Sequence, residues 1–286
     1  MHNQGVFNPA YFNSQSDLTA TMYYRNQWVG IEGAPVTKSL VAGISLQDKH
    51  NININLYQDR ITIFEDTKFG LGYNYRLKLS RYSKLSFGIK GDYGIFSADY
   101  LSLDLKHDDD PAFSENTVAQ GYLNIGSGIY FESKKFFAGI SMPYLFNNSF
   151  TNVTQIFNPN LIFNHTYLTV GHKFESTDVT FTPTALVKIV SGTPLQAEVN
   201  ANVLLKDKIW TSLGYRTDHS IVGSIGYVFP MDIKLVYSYD LAIFSAANHS
   251  IGTHEISLGY GLAFYKKNSF QRRKYLKRNG SPKRKN

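Results

Sequence analysis

The stretch KFGLGYNYRLKLSRYSKLSFGIKGDYGI, Lys68 to Ile95, decides the fold class. Every second residue from Phe69 is apolar or aromatic: Phe69, Leu71, Tyr73, Tyr75, Leu77, Leu79. The residues between are small, polar or charged: Lys68, Gly70, Gly72, Asn74, Arg76, Lys78. After the tetrapeptide SRYS the division returns, with Leu85, Phe87 and Ile89 against Ser86, Gly88, Lys90 and Asp92. A period of two is the signature of a strand with two unlike faces.

The pattern recurs along the chain. Leu18, Ala20, Met22 and Tyr24 oppose Thr19, Thr21, Tyr23 and Arg25; Ile52, Ile54 and Leu56 oppose Asn51, Asn53 and Asn55. LQAEVNANVLL sets Leu195, Ala197, Val199, Ala201 and Val203 against Gln196, Glu198, Asn200 and Asn202. About fourteen such segments are present, each near the ~9–11 residues that cross a membrane as a tilted strand. The segment containing Pro183 fits least well, because proline removes a ladder donor.

The connections sort by length. QDKH, SRYS, SKK, ESTD, KDK and the bend at Pro230 are short. IFEDTK, residues 97–120, residues 143–162 and LAIFSAANHSIGTH are long, and the two classes alternate, apart from short SGTP and TDHS on the long side. A soluble sandwich gives no reason for this; an outer-membrane barrel does, with tight periplasmic turns and longer outer loops. The expected fold is therefore all-β, a transmembrane antiparallel barrel of about 14 strands. Its apolar face meets lipid, because closure pairs every backbone polar group. Its polar face lines a lumen, with glycines that suit tight curvature. Trp28, Tyr100 and Tyr239 are expected in the interfacial aromatic girdle. An even strand count places both termini in the periplasm.

Composition agrees. The 286 residues include 20 Tyr, 20 Phe and no Cys, and mean hydropathy is −0.25. That excludes a disulfide framework, a thiolate metal site and a bundle of apolar helices. The opening MHNQGVFNPAYFNS shows no basic start followed by an apolar run.

No catalytic signature is present: no G-x-S-x-G, no H-E-x-x-H and no P-loop. His107 to Pro111, HDDDP, has the composition of a calcium loop or of a solvated run. Lumen charges are of both signs, which favours internal ion pairs or a plug over an ion-selective ring. No enzyme activity, cofactor, metal or nucleic-acid partner is expected. Charge concentrates at the C-terminus, where Lys266, Lys267, Arg272, Arg273, Lys274, Lys277 and Arg278 are among ten cations with no acid. With that tail set aside, the net charge of +7 becomes −3. The tail suits either solvation or contact with an acidic partner.

Several segments resemble the PorP/SprF family. FNPAYFNS (Phe7 to Ser14) is similar to that family's N-P-A-[YF]-A-G, with Phe12 and Asn13 departing from it. YYRNQWVGIEGAPVT (Tyr23 to Thr37) resembles its Y-R-x-Q-W-x-G-x-x-G-A-P-x-T, and FFAGISMPYLFN a later motif. The resemblance implies an outer-membrane component of type IX secretion, associated with export or surface attachment of adhesins through their C-terminal domains, with gliding, and with the periplasmic machine. Expected partners are those components, the adhesin domain and outer-membrane lipid. The motif residues carried over for docking or plugging are Asn8, Pro9, Ala10, Tyr11, Arg25, Gln27, Trp28, Gly33, Ala34 and Pro35. Arg25 is expected to hold the N-terminal segment in the lumen, and Gly33-Ala34-Pro35 to cap strand one. The expected division is a periplasmic N-terminal segment and possible plug (1–16), a barrel (17–265) and a basic periplasmic tail (266–286). A passive or hydrophobic-solute porin is the alternative function.

Overall fold

A computed structural model describes residues 4–12, 16–102, 119–146, 164–243 and 250–262. The strands are β1 (Leu18–Asn26), β2 (Val36–Leu46), β3 (His50–Ile61), β4 (Phe64–Lys78), β5 (Lys84–Ala98), β6 (Gln120–Glu132), β7 (Phe136–Met142) and β8 (His165–His172). They continue with β9 (Phe174–Glu175), β10 (Val179–Val190), β11 (Gln196–Leu205), β12 (Ile209–Arg216), β13 (Ser220–Val228), β14 (Ile233–Ala242) and β15 (Thr253–Leu262). Successive strands pair antiparallel, except that β8 and β9 both pair with β10, and β1 closes on β15 from Leu18↔Leu262 to Asn26↔His254. The sheet is a closed barrel of 14 staves, β9 being a continuation of β8.

The β8–β9 break has a local cause. Thr184 pairs with Gly171 and Phe181 with Phe174, so Pro183 stands opposite His172 in an unbroken register. Proline has no N–H to offer, and the ladder lapses there. On the outer wall beside it lies an apolar cleft of about 680 Å³ lined by residues such as Phe136, Val170, Pro183 and Leu213. It belongs to the hydrocarbon-facing surface.

Alternation places the side chains as the bilayer requires. Leu71 and Val199 are each 55% exposed on the outer face, whereas Asn74 and Asn200, of opposite parity on the same strands, are 0% and 8% exposed. The largest fully buried side chains are Asn8, Asn51, Asn74 and Asn124, all amides. Burial is thus polar, the inverse of a soluble core.

At one end the chain closes through residues 47–49, 79–83, 133–135, 176–178, 206–208 and 229–232. Gln47 and Asp48 (φ 51° and 60°), like Lys206 and Asp207 (49° and 56°), are left-handed, the geometry of a type I′ hairpin turn. The termini of the wall lie at this same end.

Two expectations are corrected here. IFEDTK is not a long loop: Ile61 pairs with Phe64, the turn is Thr62-Ile63, and the polar residues continue β4. They are satisfied across strands, Gln58 donating to Glu65 at 2.9 Å and Tyr122 to Asp66 at 2.7 Å. Tyr100 is not in an outward girdle. It is 4% exposed and packs with Phe96, Ala98 and Tyr122. Trp28 lies on the rim loop, and Tyr239 donates to the Ile251 carbonyl at 2.7 Å.

Candidate functional site

Residues 4–12 enter the lumen from the short-turn end. Gln4–Val6 forms one 3-10 turn. Asn8 then folds the next bend on itself, its Oδ1 accepting from Ala10 N at 2.9 Å and its carbonyl from Tyr11 N at 3.0 Å. This side-chain turn, with the fixed φ of Pro9, gives the segment a shape of its own.

The wall is shaped to receive it. A Cβ on Gly88 would fall within the Pro9–Ala10 peptide group, and one on Gly128 would strike the Asn8 amide. Asn8 is 1% exposed and its Nδ2 donates to the Ile129 carbonyl at 3.4 Å. Ala10, wholly buried, packs against Tyr130 and Phe137. Asn74 donates to the carbonyls of Ala10 and Pro9, and Arg76 Nη2 to that of Phe12 at 3.0 Å. The Tyr11 ring meets Tyr130 edge-on at 5.2 Å, and desolvation pushes its phenol up to about 12.

A second segment folds inward from the other end. After β7 the chain turns over β6, where Asn124 Oδ1 accepts from Leu145 N (3.1 Å) and Phe146 N (3.3 Å) and Nδ2 donates to Phe146 O (2.9 Å). This places the Tyr144 ring 4.8 Å from Lys68 Nζ and 5.0 Å from Lys90 Nζ. Those cations also pair with Asp66 (2.7 Å) and Asp92 (2.6 Å). An aromatic chain joins the two inserted segments: Phe7 on Tyr167 (4.9 Å), Tyr167 on His165 (6.1 Å), His165 against Tyr144 (6.1 Å).

Among the described residues, Arg25 makes no hydrogen bond or ion pair with the N-terminal segment. Its guanidinium bridges Asp240 (3.4 Å) and Glu255 (3.2 Å). Arg216 bridges Glu198 (2.9 Å), Asp240 (3.0 Å) and Asp218 (3.5 Å), and Tyr23 donates to Glu255 at 2.7 Å. Arg25 is drawn to the acids of β14 and β15, while Arg76, on β4 three strands along the wall, meets the segment.

The third feature is the rim loop of residues 27–35. Gln27 N donates to Pro35 O at 2.9 Å, and Ala34 N to Ile31 O at 3.3 Å. Val29 exchanges backbone bonds with Gly252 and Ile251, and Trp28 N donates to Thr253 Oγ1 at 3.2 Å. Gly33 has φ +70°, and a Cβ there would sit 3.0 Å from Thr62 Oγ1. That close approach lets Thr62 N reach Gly33 O at 2.8 Å, tying the loop to the β3–β4 turn.

The model of the type IX secretion system membrane protein PorP/SprF matches residues 1–260. The chain belongs to that family. It is an outer-membrane β-barrel component of type IX secretion. No individual curated protein sequence matches it. Among solved structures it is similar to the CymD monoaromatic hydrocarbon channel, at 11% identity and TM-score 0.52 over 91% of this chain and 93% of that one. It is also similar to the TodX deltaS2S3 mutant monoaromatic hydrocarbon channel (8%, 0.50, 89% and 91%) and to Omp33 of Acinetobacter baumannii (9%, 0.48, 87% and 98%). At such identities the likeness is one of fold.

In this PorP/SprF barrel the family-like segments fall at three places: Asn8, Pro9, Ala10 and Tyr11 inside one half of the lumen, SMPYLF inside the other, and Gln27, Trp28, Gly33, Ala34 and Pro35 on the rim. The cations from Lys266 to Arg278, and His107 to Pro111, lie outside the described residues. Asn74, Arg76, Gly88, Gly128 and Asn124 were not among the candidate site residues, although Gly88 ends the family-like SKLSFG of residues 83–88. Their inward parity was legible, but the chain they would meet is distant in sequence.

Proposed function

We propose that the barrel is a non-enzymatic docking component of the type IX system. It binds a secreted adhesin's C-terminal domain, periplasmic machine components, or both, and so supports export, surface attachment or gliding. The observation that carries this reading is the occupied lumen: residues 4–12 and 143–146 enter it from opposite ends, and the lumen cations Arg25, Lys68, Lys90 and Arg216 are tied to carboxylates. A barrel so filled is organised to hold protein rather than to pass solutes. Short turns and both termini face the periplasm in this orientation, which puts the rim loop of residues 27–35 outside. The adhesin and the machine components come from the family's association with type IX secretion.

The test is co-purification from native membranes with mass spectrometry of what stays bound. Retention of type IX components or an adhesin C-terminal domain is expected. A barrel recovered alone, conducting steadily in planar bilayers, would favour a passive porin instead.

A further inference from the structure

Arg76 stands on the lumen face of β4, opposite Ser86, and is 3% exposed. Nη2 donates to the neutral carbonyl of Phe12, and the ring of Phe12 lies 5.7 Å from the guanidinium carbon. The buried Nε has no hydrogen-bond partner. Glu132 and Asp48 act on Arg76 through space, and Glu132 bridges Lys84 at 3.6 Å. A buried guanidinium with an unused donor is costly. Nε and an Nη lie along one edge of the planar group, and a carboxylate accepts both in parallel where a carbonyl accepts one.

The rest of the cradle reads main chain. Asn74 takes the carbonyls of Pro9 and Ala10, and Gly88 clears room for the peptide group between them. Two positions are selective. Asn8 fills a space cleared by Gly128 and Gly139, and the wall of Tyr130 and Phe137 admits only a small side chain at Ala10.

We infer that this cradle is a peptide-binding site. Its ligand is a chain end folded in the same asparagine-led turn, carrying a small residue two positions after the asparagine, then aromatic residues and a terminal carboxylate on Arg76. Residues 8–12 hold the site in cis, and a partner's chain end of that chemistry displaces them. The site rests on the docking reading above and names its ligand.

The probe is the nine-residue peptide QGVFNPAYF, labelled at its N-terminus, with either a free carboxylate or an amide at its end. The receptor is the full chain with Ala10→Trp, which cannot seat its own segment; Asn8→Lys serves if that variant fails to form a heat-resistant barrel. By fluorescence anisotropy the free acid should bind about tenfold more tightly than the amide, the worth of a hydrogen bond to a charged group. Arg76→Gln should erase the difference, and the wild-type chain should bind both peptides more weakly than Ala10→Trp. Equal affinities for acid and amide, or no binding to an intact barrel, would overturn the site. Failure here with partners still retained in the co-purification would move docking to the rim loops and leave the docking reading standing.

Discussion

Gly88 and Pro9 lie wall to segment, with no space between them for a methyl group. The strand gives up a side chain so that the proline's peptide group can lie flat against it. Gly88→Leu should therefore expel residues 8–12 while leaving the β4–β5–β6 ladder intact. The cost should be about 1–3 kcal/mol, as for overpacking. With a cysteine at Ala10, unique in this cysteine-free chain, labelling by a polar maleimide should become fast in Gly88→Leu and stay slow in the parent. Equal labelling would mean that the segment does not depend on the glycine.

Strand parity makes a sharper contrast on β11. Val199 faces out at 55% exposure, and Val199→Arg should cost roughly 2–4 kcal/mol near the bilayer midplane. Asn202 faces in, donating to Thr182 O at 2.8 Å. Asn202→Arg forfeits that bond but reaches a polar lumen, so the loss should be about 1 kcal/mol. Denaturant titration of refolding into lipid vesicles measures both, and similar losses would show the parity to be wrong.

This parity was legible because a bilayer forces it: with lipid on one side and polar groups on the other, alternation survives in nearly every strand. Loop sorting was legible for the same reason, except at IFEDTK. There Glu65 and Asp66 looked like loop residues, and only their cross-strand partners Gln58 and Tyr122 show them to be strand. The choice between Arg25 and Arg76 was not legible. Both alternate inward, and which one meets the N-terminal segment depends on Asp240 and Glu255, more than 200 residues from Arg25. The inward lapse of Tyr100 has the same origin, since its partners Phe96 and Tyr122 come together only across β5 and β6.

The rim loop should depend on Gly33. Gly33→Ala puts a Cβ against Thr62 in a left-handed backbone conformation. The expected loss is roughly 1–2 kcal/mol of local stability. Hydrogen exchange should report it as faster exchange at Thr62 and Val29, with strand amides unchanged. Unaltered protection at both would detach the loop from its turn.

Orientation is open to chemistry in intact cells. Single cysteines at Glu32, exposed on the rim loop, and at Asp207, in the β11–β12 turn, mark the two ends. An impermeant maleimide should label Glu32→Cys and spare Asp207→Cys. The reverse would turn the barrel over, and with it the proposed periplasmic tail.

The tail gives a test of partners. Deleting residues 268–286 should leave a heat-resistant barrel and reduce recovery of periplasmic type IX components in pull-downs, more so at low salt where attraction is least screened. Undiminished recovery would reduce the tail to a solvated extension.

The most direct test of a lumen filled by its own chain is conductance. The purified wild-type protein, shown by heat resistance to be an intact barrel, is inserted into planar bilayers. No steady open-pore steps are expected, and Gly88→Leu, with its segment expelled, should conduct more than the parent. Steady porin-like steps from the wild-type barrel would contradict the filled lumen, and the docking role would lose its main support.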